Sequence, residues 1–146
     1  AETTLRLARD FENIVAIKEA SGNIGQMDEI IKNKPEGFDV ISGDDGITFP
    51  LITLGAVGVI SVLGNAFPAE FSKMNRLALE GNYAEALTIH HQFTEIINLL
   101  FADGNPAGAK AMLNIMGMCE NKLRLPLVPA REVTYEKLRA AWEALK

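Results

Sequence analysis

Three times within its first 80 residues the chain follows a short apolar run with a turn and then with apolar residues at helical spacing. No other feature restricts the possible folds as strongly. Ile14 to Ile17 is a continuous, partly β-branched run, as expected of a strand buried on both faces. Ser21-Gly22 turns the chain, Asn23 is an N-cap with Gln26 three residues later, and Ile24, Met27, Ile30 and Ile31 mark a helix. Pro35-Glu36-Gly37 breaks it, Phe38 to Ser42 reads as a second strand and Gly43-Asp44-Asp45-Gly46 as a loop, and Ile47, Leu51 and Leu54 outline another helix. Gly58 to Val62 is the third predicted strand, and the loop Leu63 to Phe67 leads to a helix opened by Pro68 that carries Phe71, Met74 and Leu77 inward. Ahead of these units, Ala1 to Arg9 reads as a helix already under way, as in a fragment or a processed chain.

Alternation of this kind implies a parallel sheet, doubly wound or closed as a barrel. After Glu80 the strand signal stops. Asn82 with Glu85 predicts a capping box ahead of Ala86, Ile89, Phe93, Ile96, Ile97 and Leu100; Asn105-Pro106 starts a second helix; Thr134 caps a third bearing Tyr135, Leu138, Trp142 and Leu145. Leu123 to Pro129 is an extended connector. The expected architecture is α/β: residues 1–80 form the C-terminal part of a (β/α)8 TIM barrel, its last three strands with their helices, and residues 81–146 form an all-helical domain. A whole barrel takes about 250 residues, so an N-terminal half is expected to be missing.

Charge narrows the partners. With 19 acidic and 14 basic residues and a net charge of -5, the chain has no basic block suited to nucleic acid or an anionic membrane, and neither is a predicted partner. Cys119 is the only cysteine, which points to a reducing, cytoplasmic setting without an intramolecular disulfide.

Lys18 ends the first apolar run, where a cation costs free energy unless it is paired, reaches water or is given up. Alternation along a strand sets Lys18 on one face with Ala16 and Glu19 on the other with Ile17. At the C-terminal end of a barrel strand, a partly desolvated amine is a nucleophile toward a carbonyl carbon, and the resulting imine is an electron sink. The competing reading is a rim lysine that is merely solvated. Asp44 and Asp45 suit a carboxylate pair or a Mg²⁺ site, but Asp45 beside Gly46 reads more simply as an N-cap. Ser21-Gly22-Asn23 is a weak phosphate-loop candidate, and His90-His91 lie too far apart around a helix to share a metal. Met112, Met116 and Met118 read as packing.

Val15-Ala16-Ile17-Lys18-Glu19-Ala20-Ser21-Gly22-Asn23, Ser42-Gly43-Asp44-Asp45, and Gly55 through Val62 with Asn65 stand in an order and spacing that resembles the dihydrodipicolinate synthase family. Asn105-Pro106 with Lys110, and Leu123 to Leu127, are similar to that family's helical C-terminal region. The resemblance implies a pyruvate-dependent lyase on a TIM barrel, working without metal or organic cofactor. Lys18 matches the lysine that forms an imine with pyruvate, whose enamine attacks aspartate semialdehyde on the diaminopimelate route to lysine. Gly43 and Ile60 match positions lining the substrate pocket. Implied partners are these two substrates and further copies of the chain, as a homo-oligomer.

The family's proton-relay tyrosine, its threonine and second tyrosine partners and its carboxylate-holding arginine lie N-terminal to the lysine, and the 17 residues before Lys18 hold no tyrosine. Tyr83 and Tyr135 fall in the helical part at core-facing positions. The chain is therefore expected to be inactive without the other half. Two alternatives stand beside this reading: another Schiff-base lyase of the superfamily, acting on N-acetylneuraminate or a keto-deoxy sugar acid, and a non-catalytic fragment acting in assembly.

Overall fold

A computed structural model describes all residues, 1–146. They form two compact units, one of residues 1–61 with 74–86 and the other of residues 62–73 with 87–146.

In the first unit, helix α1 (Glu2–Asp10) precedes strand β1 (Ala16–Glu19), helix α2 (Ile24–Asn33), strand β2 (Asp39–Ser42), a 3-10 turn (Asp45–Ile47) and helix α3 (Thr48–Leu54). β1 and β2 are parallel, with Ala16 beside Asp39, Ile17 beside Val40, Lys18 beside Ile41 and Glu19 beside Ser42. Asn23 caps α2 as its sequence implies, accepting the Gln26 N–H at 3.0 Å. Met27 and Ile30, one turn apart, are wholly buried. Ile30 packs with Leu5, Phe38 and Val40, flanked by Ile14 and Ile17, while Met27 packs with Leu51 and Ala56. Each such side chain contributes about 1.5–3 kcal/mol of burial. Gly55 closes α3 at φ +117, where its N–H reaches Ile52 O and that of Ala56 reaches Leu51 O, both at 3.0 Å. This is a Schellman stop, and a Cβ at Gly55 would lie 3.0 Å from Ile31 Cγ2.

The third predicted strand is only a single parallel bridge, Ser42 to Val59. Its backbone is nonetheless laid along β2: Val57 N donates to Val40 O, Ser42 N to Gly58 O and Ile60 N to Ser42 O, at 2.8–3.0 Å. The first strand starts two residues later than its apolar run and is not buried on both faces, since Val15 is 61% exposed and Lys18 is exposed. Helices α1, α2 and α3 pack on one side of this short sheet. Asp44, not Asp45, is the cap of the 3-10 turn, accepting the Gly46 N–H at 2.9 Å, while Asp45 is buried. Tyr83, expected in the core, is 48% exposed and meets the edge of Phe49.

Helices α4 (Pro68–Leu79) and α5 (Tyr83–Phe101) contribute to both units, and α6 (Ala107–Ile115) and α7 (Glu132–Glu143) belong to the second. Phe67 and Phe93 pack at 4.9 Å between ring centroids, and Ile96, Leu100, Ala111, Met112 and Leu138 are buried. Thr134 does not cap α7, which begins two residues earlier. Instead Asp103 serves as a remote cap, taking the Arg131 N–H at 2.9 Å, Arg131 Nε at 2.6 Å and the buried Thr134 hydroxyl. The Thr134 bond is the chief cause of an Asp103 pKa below the ordinary carboxylate range. A depressed carboxylate pKa stabilises the fold above the unfolded value, and that contribution disappears as pH falls through the folded one. Acid titration of α7 docking, followed by near-UV circular dichroism at Trp142, is expected to lose signal from about pH 4 downward. Asp103→Asn should melt at a lower temperature at pH 7 and show a flatter acid limb; an unchanged acid limb would exclude this role. Tyr135 Oη donates to Asn114 Oδ1 at 2.7 Å, linking α7 to α6. No helix is long and apolar enough to cross a membrane.

Candidate active site

The parallel register decides which side chains share a face. Ile17, Glu19, Val40 and Ser42 point toward the helices, and Val40 and Ser42 are completely buried. Lys18, exposed, and Ile41, half-buried, point to the opposite face, and by the same alternation so do Gly43 and Ile60. The three residues singled out in the sequence thus lie on one face, at the C-terminal ends of three adjacent parallel segments. Gly43 N donates to Glu19 O at 2.8 Å and Ile60 N to Ser42 O at 2.9 Å, which holds the three ends level. The lysine meets its desolvation problem by reaching water. Ile60, 53% exposed, is an apolar neighbour on that face.

Gly43 is matched to Lys18 by size. A Cβ at Gly43 would lie 2.7 Å from Ala20 Cβ, 3.0 Å from Lys18 Cε and 3.1 Å from Lys18 Cγ. The alkyl stem of Lys18 therefore crosses the bare backbone of Gly43, whose missing side chain is the space the stem occupies. The loop beyond is held by short-range bonds: the Ser42 and Thr48 hydroxyls donate to Asp44 O at 2.9 and 2.8 Å. These bonds account for the Asp44 region as a built turn. No group of three or more histidine, cysteine or acidic residues is arranged to hold a metal.

By alternation along β1, Glu19 faces away from Lys18. The structure buries it, 6% exposed, with Oε1 accepting the Ser21 N–H at 2.7 Å and Oε2 accepting Gln26 Nε2 at 3.0 Å. Burial pushes its pKa up, but the bonds from Ser21 and Gln26 outweigh that and hold it below its ordinary value. The legible signal was a carboxylate two residues before a serine at a turn, with a long amide in the first turn of the next helix. In the second unit, a cavity of about 280 Å³ is lined by Phe67, Glu70, Gln92, Phe93, Met116 and Trp142 among others, and by none of Lys18, Gly43 or Ile60.

Comparison with known proteins gives consistent matches. The dihydrodipicolinate synthetase family matches residues 1–145. A 4-hydroxy-tetrahydrodipicolinate synthase of Phocaeicola vulgatus is 78% identical over 146 residues, covering 100% of this chain and 49% of that protein. One of Parabacteroides distasonis is 76% identical over 139 residues, covering 95% and 47%. The crystal structure of dihydrodipicolinate synthase from Thermotoga maritima matches with a TM-score of 0.95 at 40% identity, covering 98% of this chain and 50% of that one. The chain spans about half the length of the curated relatives it matches.

Proposed function

This chain belongs to the dihydrodipicolinate synthetase family, and on that premise we propose that it supplies the nucleophile of a pyruvate-dependent Schiff-base lyase, Lys18. The observation that carries the reading is the lysine at the C-terminal end of β1, on the same face as Gly43 and Ile60. Its amine adds to the pyruvate carbonyl carbon and water leaves, giving an imine; loss of a methyl proton gives the enamine. The enamine carbon bonds to the aldehyde carbon of aspartate semialdehyde. The amino group of that substrate then attacks the imine carbon, closing the ring and releasing Lys18 as a hydroxytetrahydrodipicolinate forms. Gly43 and Ile60 line the substrate pocket.

In this reading residues 1–80 are the C-terminal part of a TIM barrel and residues 81–146 a helical domain. The remaining strands cover the Lys18 face and bring the proton relay and the carboxylate-holding arginine. Without them the chain forms no product, and with them it works in the cytoplasm as a homo-oligomer. The relatives described above support aspartate semialdehyde as the aldehyde, since they bear the dipicolinate name.

Borohydride reduction in the presence of pyruvate, followed by peptide mass mapping, tests the assignment in the chain alone and with the remaining barrel strands supplied. A reduced pyruvyl adduct is expected on Lys18, and none on the same peptide of Lys18→Arg. No adduct on Lys18 in either sample would reduce the lysine to a structural rim residue.

A further inference from the structure

Glu19 is the one buried carboxylate beside the proposed nucleophile, and burial alone does not account for it, because an apolar side chain there would avoid the cost of desolvating a charge. The cost is met by charge-assisted bonds. Oε1 takes the Ser21 N–H at 2.7 Å and Oε2 takes Gln26 Nε2 at 3.0 Å, so the carboxylate ties the end of β1 to the following turn and to the first turn of α2. The Glu19 main chain works on the other side, its carbonyl accepting the Gly43 N–H at 2.8 Å. Gly43 is the residue over which the Lys18 stem lies, and Ala20 closes in on it from the same side. Lys18, Ala20 and Gly43 thus form one tightly spaced set at the strand ends, and Glu19 anchors that set from the opposite face.

We infer that Glu19 is a positioning residue for Lys18: its carboxylate clamps the Ser21 turn and α2 so that the strand end, and with it the amine, is held in one place. The inference rests on the Schiff-base reading of Lys18. Glu19 does not touch the substrate in this arrangement; it acts through the backbone on either side of Lys18.

The test is the rate of reductive trapping of pyruvate on Lys18, measured against pyruvate concentration in protein assembled so that the unaltered sequence traps, with a thermal melt of each variant. Glu19→Gln keeps the shape of the side chain but removes the charge that strengthens both bonds, and its N–H₂ end can be met only if the Gln26 amide turns over and gives up the bond its Oε1 accepts from the Ala1 amine. The expected result is a limiting trapping rate lowered about tenfold, as small misplacements of a reacting group produce, with little change in the half-saturating pyruvate concentration. Thr134→Val, which removes a stabilising bond away from this set, should lower the melting temperature and leave the trapping rate unchanged. Trapping by Glu19→Gln at the unaltered limiting rate would overturn the inference. Should Glu19→Gln not fold, Gln26→Leu removes one of the donors and leaves the carboxylate in place; its limiting rate should fall in the same direction, and an unchanged rate overturns the inference equally. Absence of any Lys18 adduct in the unaltered protein is a different result, which removes the Schiff-base reading itself.

Discussion

Gly108→Ala is expected to unfold the α5–α6 pairing, the largest loss of stability from any single methyl group in this chain. A Cβ at Gly108 would stand 2.2 Å from Leu100 O and 2.6 Å from both Leu100 C and Cα. The obstacle is main chain inside a helix, which cannot rotate aside as a side-chain tip can. Relief requires α6 to back away from α5, opening contacts around Leu100, Ala111 and Met112, which are fully buried. Overpacking a core costs about 1–3 kcal/mol when side chains can adjust, and a backbone collision belongs at or above the upper end. The gain in helix propensity from glycine to alanine, about 1 kcal/mol, does not offset this. In a unit of this size the melting temperature should fall by about 10 °C or more. Gly81→Ala is the contrasting change: its φ of +83 makes alanine strained, but nothing lies within 4 Å, so about 1 kcal/mol is expected. Equal melting of Gly108→Ala and the unaltered protein would mean that α5 and α6 do not meet backbone to backbone.

Gly43→Ala is expected to act on the chemistry more than on the fold. Of the three atoms the new Cβ would crowd, two belong to the flexible stem of Lys18 and can swing away, and only Ala20 Cβ is rigid. The cost to stability is about 1 kcal/mol, the low end of overpacking. The cost to the amine is larger, because the stem loses the path that delivers it to its position. A displacement of about 1 Å at a reacting group lowers rates by up to about a hundredfold. Pyruvate trapping on Lys18 should therefore fall between tenfold and a hundredfold in Gly43→Ala while the melt moves little. Trapping at the unaltered rate would show that the stem does not need the space over Gly43.

Local features of this protein were readable because their causes lie within a few residues. Asn23 caps α2 through a bond three residues long, Met27 and Ile30 are buried because they lie one turn apart, and Lys18 and Glu19 face opposite ways because side chains alternate along a strand. The resemblance that singled out Lys18, Gly43 and Ile60 likewise rests on short contiguous motifs. What tertiary structure alone decided depends on residues far apart in the chain. Asp103 caps α7 from 28 positions away, which no pattern around Thr134 could reveal. Gly108 is glycine because of Leu100 on another helix, and Gly43 because of Ala20 and the Lys18 stem at the end of β1. The third apolar run has full strand character but bonds to β2 only from Val57 to Ile60, with one bridge at Val59, since β preference is realised only through the neighbours a segment meets. Sequence set the faces and the caps; packing across elements decided which carboxylate is buried, which glycine is indispensable and what lies beside the lysine.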